Sequence, residues 1–374
     1  MCNTQRRGLF SALVFAVSIL TIGMSASGQN PQLPRAPRLL WHIDKPNFQQ
    51  LPAVLGKTLY LGGSALTGHE LSTGKEILRE KTIGKCWQPT VSGGLVFVRD
   101  HKGTLHCVSS DLSRTLWSID LRYSYHVGKA FGDLYLVASG SELLAVTAGK
   151  VLWRHDVESE VAMTPATDGR HVFVGSQQGT VVAVDLQSGK ETWRTDTPGE
   201  FGYSMPVLDS GVLFMADRGV RGGRKAALNA FDAKSGKLLW STQFGSTGFS
   251  TPHPHGDRVW AGFGVSVAAF DRESGVLDMD GRIKTGRNAF GLPQVVDDVI
   301  AFGNLDGNFY VHDLETHELR WRFEVGTDER SQVGAWGMVG DLLIVGTTKG
   351  IYAIAESPHS EPAVPGFVLR PADR

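Results

Sequence analysis

A short sequence pattern recurs along the whole chain, and it constrains the fold more than any other feature. It reads Ala-x-Asp-x-x-Ser-Gly-Lys-x-x-Trp at 183–193 and again at 230–240, with related copies at 68–78, 269–279 and 311–321. The final position of the pattern is occupied, in chain order, by Trp41, Leu78, Trp117, Trp153, Trp193, Trp240, Met279 and Trp321. Because these positions lie about 40 residues apart, the chain is built from repeats and not from unrelated domains.

Each repeat carries the strand and turn signals of a small antiparallel sheet. In one well-preserved copy, Val181–Asp185 alternates as a strand, Leu186–Gly189 is a hairpin turn and Lys190–Arg194 returns as the outer strand. A second marker, a proline before a short apolar stretch, opens most repeats and occurs at Pro52, Pro89, Pro165, Pro206, Pro252 and Pro293. Equivalent openings without proline lie near Lys129 and Trp336, so the second marker also indicates eight units.

Eight units of short strands and glycine turns predict an all-β fold, an eight-bladed β-propeller of four-stranded antiparallel blades. The residue that ends each pattern, a tryptophan in six of the eight copies, then faces the next blade. Its recurrence at one fixed strand position favours packing between blades over stacking on a ligand. The repeated Asp and Ser/Thr-Gly are interpreted as turn residues and not as catalytic acids.

The phase of the two markers predicts how the ring closes. Seven units run complete from Pro52 to Trp321, whereas the eighth ends after the strand Ile351–Ala355 and lacks an outer strand. The orphan segment Leu39–Asp44 at the other end of the chain supplies the missing strand in this prediction. Pairing both ends in one blade hides sheet edges that otherwise promote aggregation.

These limits divide the chain into four parts. The propeller is predicted for 39–356, an extended linker for 28–38 and a Pro-containing tail for 357–374. Residues 1–27 resemble a secretory signal peptide, because two arginines precede an apolar run that ends in small residues. The run is shorter than the roughly 20 residues of a membrane-spanning helix, and no second apolar segment follows.

The leader predicts a periplasmic or secreted protein that is soluble after cleavage. An uncleaved anchor is the alternative, and either the general or the twin-arginine export route is compatible with the Arg6-Arg7 pair. A lipoprotein is not expected, because Cys2 precedes the apolar run and no cysteine follows it at the cleavage point.

Charge and cysteine content exclude several function classes. Near balance between 37 basic and 38 acidic residues argues against a nucleic-acid partner. The 3 cysteines rule out a disulfide scaffold and a multi-cysteine zinc array. A disulfide between Cys86 and Cys107 is disfavoured, because one lies ahead of the innermost strand of its blade and the other in the third strand. A monomer is expected, and no metal site is predicted at the close pair His253 and His255.

The repeated pattern resembles the tryptophan-docking repeat of PQQ-like β-propeller proteins, and the resemblance covers residues 39–356. One branch of this superfamily contains quinoprotein dehydrogenases, which bind pyrroloquinoline quinone (PQQ) and calcium at a propeller face. The other contains cofactor-free binding proteins, such as the BamB-like scaffolds of outer-membrane assembly. The resemblance therefore implies the fold strongly and leaves two classes of function.

The sequence departs from each branch in one respect. Quinoproteins of this type carry two adjacent cysteines and long insertions with a calcium site, whereas here Cys86 is followed by Trp87 and the repeats are compact. No calcium-binding or catalytic position of that branch can be carried over to this chain. BamB-like proteins are typically lipoproteins, and the lipobox cysteine is missing here, which places membrane anchoring in doubt.

One face of the predicted ring carries the candidate binding residues. In a four-stranded blade, the loop between the second and third strands and the segment entering the next blade share a face. The entering segments are rich in aromatic and charged residues, which suits a protein or peptide partner. The predicted partner-binding residues at this channel mouth are Trp87, Tyr125, His126, Tyr203, Phe249, Arg287, Asn288, Phe290 and Arg330. Packing of these side chains between blades is the alternative.

The same face is predicted to carry a basic loop, Asp217–Lys225. It contains Arg218, Arg221, Arg224 and Lys225. These charges would suit an acidic partner or an anionic ligand, and a solvated loop without a ligand is the alternative.

Together these features predict an exported, non-catalytic binding or scaffold propeller of the cell envelope, with a BamB-like role in outer-membrane assembly as its finer form. No cofactor is predicted. A PQQ-dependent oxidoreductase with calcium is the alternative enzyme, and binding of a small molecule or glycan at the channel mouth is a third possibility.

Overall fold

A computed structural model describes residues 32–44, 52–121, 128–202, 204–220, 223, 225–244, 250–287, 289, 291–326, 331–358 and 367–369. Within these ranges all helical or strand structure is β-strand, and the strands form eight separate sheets. We number the sheets as blades 1 to 8 in the order of their first inner strand. The same part of the chain contains no helix that could cross a membrane.

The first four blades each contain four consecutive antiparallel strands, numbered from the innermost outward. Blade 1 has β2 (Ala53–Leu55), β3 (Thr58–Leu61), β4 (Thr67–Glu70) and β5 (Glu76–Arg79), and blade 2 has β6 (Thr90–Ser92), β7 (Leu95–Arg99), β8 (Thr104–Ser109) and β9 (Thr115–Asp120). Blade 3 has β10 (Lys129–Phe131), β11 (Leu134–Ser139), β12 (Glu142–Thr147) and β13 (Lys150–Asp156), and blade 4 has β14 (Val161–Thr167), β15 (His171–Ser176), β16 (Thr180–Asp185) and β17 (Glu191–Asp196).

The last four blades repeat this order with one addition and one exchange. Blade 5 has β18 (Val207–Asp209), β19 (Val212–Ala216), β20 (Ala227–Asp232) and β21 (Leu238–Gln243), and blade 6 has β22 (His253–His255), β23 (Arg258–Phe263), β24 (Ser266–Asp271) and β25 (Ile283–Lys284). Blade 7 has β26 (Gln294–Val296), β27 (Val299–Gly303), β28 (Asn308–Asp313), β29 (Leu319–Glu324) and the added β33 (Phe367–Leu369). Blade 8 has β30 (Val333–Val339), β31 (Leu342–Thr347), β32 (Gly350–Glu356) and β1 (Pro37–Asp44).

The predicted eight-bladed architecture and its closure are both confirmed. Strand β1 pairs antiparallel with β32, with Leu39 opposite Ile354 and Asp44 opposite Gly350. The N-terminal strand therefore forms the outer strand of blade 8, as the phase of the repeats predicts. A continuous apolar core fills the space between blades 7 and 8 and includes the buried indole of Trp336.

The residues before β1 replace the hairpin that blade 8 lacks. In the other blades the chain runs continuously from the third strand to the fourth, but in blade 8 these strands come from opposite ends of the chain. The Glu356 carboxylate accepts hydrogen bonds from the backbone N–H groups of Arg35 (2.6 Å) and Ala36 (2.8 Å). The Ser357 N–H donates to the Ala36 carbonyl at 2.9 Å. These bonds hold the two ends together where other blades have a covalent turn.

The C-terminal tail, predicted to lie outside the propeller, adds a fifth strand to blade 7. Strand β33 runs parallel to β29, with Trp321 opposite Phe367 and Phe323 opposite Leu369. The Leu369 side chain is half-buried and packs against the core between blades 7 and 8. The repeat pattern does not predict this pairing of β33 with β29.

The recurring tryptophans pack between neighbouring blades. Five of their indole N–H groups donate to backbone carbonyls. The pairs are Trp41 to Leu71 (3.0 Å), Trp153 to Leu186 (2.8 Å), Trp193 to Ala233 (2.9 Å), Trp240 to Arg272 (2.9 Å) and Trp321 to Pro34 (2.8 Å). The indoles also lie against the turn glycine of the next blade: a Cβ atom added at Gly149 would lie 3.1 Å from Trp117 Cβ, and one added at Gly275 would lie 2.5 Å from Trp240 Cε3. Glycine is thus required at these turns for contact as well as for a positive φ.

Two of the eight equivalent positions lack tryptophan and differ from each other. Leu78 is half-buried and packs into the core between blades 1 and 2. Met279, by contrast, is 50% exposed and lies outside any strand, which differs from the docking role that the pattern predicts. The cause is local, because the fourth strand of blade 6 begins only at Ile283 and pairs with Ser266 and Val267.

A β-bulge comes directly before the docking position in every blade except blade 6, for the strand pairs that the structure describes. The bulged residues are Leu40, Ile77, Leu116, Leu152, Thr192, Leu239 and Arg320. A bulge adds one residue to the outer strand, increases its twist and redirects the following side chain. The bulges therefore turn the docking residues toward the next blade and make the outer edges irregular, which discourages pairing with other chains.

The aspartates of the repeated turns make stability depend on pH. The pKa values of Asp185, Asp232 and Asp271 lie below the ordinary range, chiefly because the hydroxyls of Ser188, Ser235 and Ser274 and the backbone N–H groups of the same serines donate to the carboxylates. Because the pKa of each of these carboxyls is lower in the folded protein than in the unfolded chain, the unfolded chain binds protons at a higher pH than the folded protein does. The stabilisation is complete above pH about 4 and is lost as the pH falls further through the folded pKa.

We therefore expect the urea midpoint of unfolding to fall between pH 5 and pH 3, and to fall less in the triple variant D185N/D232N/D271N. Asparagine keeps the acceptor oxygen but does not titrate in this range. An equal fall in both proteins would show that these turns do not contribute to the acid sensitivity.

Cys86 and Cys107 are separate buried thiols. Burial raises the pKa of the Cys107 thiol to about 11, which keeps it protonated and unreactive at neutral pH.

Candidate functional site

The candidate site lies on what we call the upper face. It consists of the loops between the second and third strands of each blade and the segments that enter the next blade. In blade 1 these two elements are joined directly, because the backbone groups of Gly63 and Cys86 exchange two hydrogen bonds of 2.9 Å each. The segment that enters blade 2 is therefore held against blade 1 by backbone hydrogen bonds.

Trp87 lies in the segment that enters blade 2, where the sequence predicts a partner-binding residue. Its backbone N–H donates to the Arg99 carbonyl at 2.8 Å. Its half-buried ring stacks on the His101 ring, with 4.3 Å between the ring centroids and 11° between the ring planes. Burial, followed by the charge of Lys85, lowers the pKa of His101. A neutral imidazole thus supports one side of an indole that remains partly accessible.

The turn before Trp87 is fixed by a buried carboxylate. Glu80 accepts hydrogen bonds from the backbone N–H of Thr82 (2.8 Å) and of Ile83 (2.7 Å) and from the Thr82 hydroxyl (2.5 Å). Burial by itself raises the pKa of this carboxyl, but the hydrogen bonds outweigh it and the pKa is lowered. Glu80 therefore stays ionised and acts as a structural group.

Close backbone contacts hold the entering segments against the second strand of the preceding blade. A Cβ atom added at Gly62 would overlap the carbonyl oxygen of Trp87, and one added at Gly262 would overlap that of Ala289. At Gly303 the same atom would lie 2.6 Å from the Gly334 carbonyl oxygen. Glycine at the end of the second strand is thus a recurring requirement for seating the upper-face segments.

The described part of the basic loop is anchored at its base. The Arg218 guanidinium forms an ion pair with the Glu200 carboxylate at 2.7 Å, and the Arg218 backbone N–H donates to the Glu200 carbonyl at 2.9 Å. Asp217, which is buried, accepts hydrogen bonds from the N–H groups of Gly219 (2.8 Å) and Ala227 (3.1 Å). One of the predicted positive charges is therefore already balanced within the protein.

The other predicted site residues divide by whether the structure describes them. Lys225 and Arg287 are exposed, which suits contact with a partner. The residues Tyr125, His126, Tyr203, Arg221, Arg224, Phe249, Asn288, Phe290 and Arg330 lie outside the described residues. Phe201, an aromatic residue of an entering segment, is fully buried and so belongs to the packing between blades.

The structure also shows a polar row on blade 2 that the sequence search for triads does not reveal. Asp100 Oδ2 lies 3.2 Å from His106 Nε2, and His106 Nδ1 lies 2.8 Å from Ser118 Oγ. Asp100 follows the second strand, His106 is on the third and Ser118 on the fourth, so only the register of the sheet brings them together. Their spacing along the chain carries no signal.

A comparison with blade 5 indicates that this row is structural. The equivalent positions there hold Asp217, Asn229 and Ser241, joined by hydrogen bonds of 2.9 Å and 2.7 Å. Asparagine cannot act as a general base. The two rows therefore look like the same cross-strand hydrogen-bonding solution, with histidine in one blade and asparagine in the other.

The fold defines an eight-bladed propeller of the PQQ-like repeat class with compact, four-stranded blades. The family profile described as outer membrane protein assembly factor BamB matches residues 34–130 and 139–357. The chain belongs to this family.

Individual relatives come from both branches of the class. The outer membrane protein assembly factor BamB of Yersinia pestis is 26% identical over 257 residues, which are 64% of this chain and 57% of that protein. Quinohemoprotein alcohol dehydrogenase ADH IIB of Pseudomonas putida is 31% identical over 179 residues, 39% of this chain and 26% of that protein. The chain thus aligns with less than two thirds of the length of either relative.

Among solved structures, BamB from Moraxella catarrhalis has the same fold with a TM-score of 0.70 at 15% identity. The match covers 86% of this chain and 100% of that chain. At this level of identity the likeness describes architecture only.

Proposed function

We propose that this protein is a non-catalytic scaffold of the cell envelope that binds a protein partner through its upper face and assists outer-membrane assembly. The observation that carries the proposal is the match to the BamB family across nearly the whole ring. A binding role needs no group beyond the propeller itself, and the compact blades supply one broad face for it.

The described side chains of the upper face support this proposal. Trp87 presents a partly accessible indole on a rigid base, and indole and guanidinium groups are the side chains most often found at the energetic centre of protein interfaces. Arg287 adds an exposed positive charge on the same face. We expect these two residues to contribute to partner binding.

The alternative activity, a PQQ-dependent dehydrogenase, is favoured by the quinohemoprotein relatives. Its calcium and quinone need a convergent set of oxygen ligands and, in the branch named above, two adjacent cysteines. Within the described ranges no three His, Cys, Asp or Glu side chains converge on a point that could hold a metal ion. The missing pair of adjacent cysteines and the match to the BamB profile support our proposal of a function without PQQ.

A cellular experiment tests the scaffold proposal. In the producing organism, loss of this protein should lower the amounts of outer-membrane proteins, and the wild-type chain should restore them. The immobilised wild-type protein should also retain a partner from solubilised envelopes, with about tenfold lower affinity for the variant W87A/R287A.

The matched control is M279A, which removes an exposed side chain from the outer edge of blade 6. It should behave as the wild type in both assays. Unchanged outer-membrane proteins in the deletion strain would contradict the assembly role. Tight, calcium-dependent binding of PQQ with turnover of an alcohol would contradict the non-catalytic role.

A further inference from the structure

The innermost strand of blade 3 carries two exposed side chains, which sets it apart from the other innermost strands. Lys129 and Phe131 are the first and third residues of β10, and both are exposed, Phe131 to 39%. In each of the other described innermost strands, at most one of the two equivalent residues is exposed. The innermost strands of a propeller border its central channel. These two residues, which we call the channel pair, are therefore accessible from the channel.

The pairing of β10 with β11 shows on which side of blade 3 the channel pair lies. Lys129 is opposite Leu136, which is buried in the core between blades 3 and 4. Phe131 is opposite Leu134, which packs against the same core. Directly opposite residues of two paired strands have their side chains on one face of the sheet. The channel pair therefore lies at the inner end of the seam between blades 3 and 4.

Blade 4 supplies the other wall of this seam. Thr167 of β14 pairs with Val172, which belongs to the same core as Leu136. A Cβ atom added at Gly169, in the turn that follows β14, would lie 3.5 Å from Phe131 Cζ. The Phe131 ring thus lies close to the first turn of blade 4, and Lys129 lies two residues further along the channel wall.

The positive charge of Lys129 is not balanced by the described residues. Although the side chain is exposed, the surrounding channel wall displaces part of its water and so lowers its pKa, and no described acidic group opposes this effect. Asp168, the acid at the end of the facing strand, is already engaged. Its carboxylate accepts a hydrogen bond from the Arg170 backbone N–H at 2.7 Å and lies 3.0 Å from His171 Nδ1.

Lys129 also carries the charge of its layer of the channel. The layer consists of the residues at the first position of the innermost strands, as the strand pairing defines them. Besides Lys129 these are Ala53, Thr90, Ala166, Val207, His253, Gln294 and Gly337. Burial, followed by the charge of His255, lowers the pKa of His253 to about 4, so its imidazole is neutral at pH 7. An anion that enters the channel at this level is therefore attracted to blade 3.

The channel pair offers one positive charge and one aromatic ring on the same side of one strand. Residues two apart on a strand are separated by about 7 Å, and a short carbon chain between a ring and a carboxylate bridges such a distance. A lysine ammonium binds a carboxylate as a point charge, and an aromatic ring packs against an apolar body. Sites for small ligands commonly combine apolar contact with a few placed polar groups in this way.

From these observations we propose that the channel pair is a binding site for a small organic monoanion in which a carboxylate is attached to an apolar body. The Lys129 ammonium pairs with the carboxylate. The Phe131 ring and the inner end of the core between blades 3 and 4 contact the apolar body. This inference goes beyond the scaffold function, because it assigns a small-molecule ligand to the channel and does not depend on a partner at the upper face.

The test is isothermal titration calorimetry of the purified protein with hydrocinnamate, an aromatic ring joined to a carboxylate by a short chain. Hydrocinnamamide is the matched probe, because it keeps the ring and the chain but has no charge. We expect a Kd of about 1 mM or lower for hydrocinnamate. K129M should weaken its binding at least about tenfold and leave the binding of the amide unchanged, whereas K129R should stay within about threefold of the wild type. F131A should weaken the binding of both compounds.

The matched control is K150M, which removes an exposed lysine from the outer strand β13 of the same blade. It should bind hydrocinnamate as the wild type does. A second measurement needs no substitution and follows the acetylation of individual lysines by acetic anhydride with mass spectrometry. Saturating hydrocinnamate should slow the acetylation of Lys129 by at least about threefold and leave that of Lys150 unchanged.

Equal binding of hydrocinnamate by the wild type and K129M would overturn the site, as would no binding by the wild type at about ten times the expected Kd. Unchanged binding by F131A would overturn the role of the ring. These measurements use purified protein and a defined small molecule. They can therefore fail while the cellular scaffold assay succeeds, and the reverse is also possible.

Discussion

Replacing Trp240 by alanine is expected to destabilise the protein by about 3–5 kcal/mol, the usual cost of deleting a buried aromatic side chain. The indole is 8% exposed, donates to the Arg272 carbonyl at 2.9 Å and packs on the turn glycine Gly275 of blade 6. It also lies 6.0 Å from the Phe214 ring in its own blade. The measurement is the free energy of unfolding in urea, with hydrogen exchange in blades 5 and 6 as a local probe.

The matched control is M279A, at the equivalent position of the next repeat. Because Met279 is 50% exposed, we expect M279A to change stability by less than about 0.5 kcal/mol. An intermediate variant, W240F, keeps the ring contact but leaves the Arg272 carbonyl without its donor, and should cost about 1–3 kcal/mol. Equal losses for W240A and M279A would mean that the position in the repeat matters more than the burial observed there.

The repeats predict the fold because each turn and docking contact is specified by residues close together in the sequence, and the same specification recurs in the other copies. Turn chemistry at Asp185–Gly189, the docking residue Trp193 and the next blade all follow from one pattern, and eight copies leave little freedom for another architecture. The closure through Leu39–Asp44 is predictable for the same reason, since the pattern shows which strand is missing.

Features that occur once are the ones that the pattern cannot predict. In blade 6 the outer strand begins only at Ile283, so Met279 lies in the connection before it. The repeat pattern does not predict this later start. The pairing of Phe367–Leu369 with blade 7 is a long-range contact of a segment without a repeat partner. Such contacts depend on three-dimensional proximity, for which a periodic sequence carries no signal.

The candidate site shows the same division. The predicted position of Trp87 in an entering segment follows from the phase of the repeats, but its stacking on His101 depends on how one loop lies over another. The prediction of a basic loop counted the charge of Arg218 and not its partner Glu200, which is on a different segment. The pairing of Arg218 with Glu200 needed the structure, because the two residues are 18 positions apart and belong to different segments.

Replacing Gly62 by alanine is the second change with a large expected effect, about 3 kcal/mol of lost stability. The added methyl group would overlap the carbonyl oxygen of Trp87, which is backbone and is fixed by the neighbouring hydrogen bonds between Gly63 and Cys86. The control is G223A, where a Cβ meets nothing within 4 Å, so that its effect should stay within about 0.5 kcal/mol. Both values come from urea unfolding.

The same variant separates the structural role of this contact from its role in binding. Relief of the overlap must move the entering segment, and with it the Trp87 indole, away from His101. At a temperature where G62A remains folded, we therefore expect it to bind the envelope partner as weakly as W87A does, although the indole is still present. If G62A lost stability but kept full affinity per folded molecule, the position of Trp87 would not matter to the partner. The binding surface would then have to be sought elsewhere on the ring.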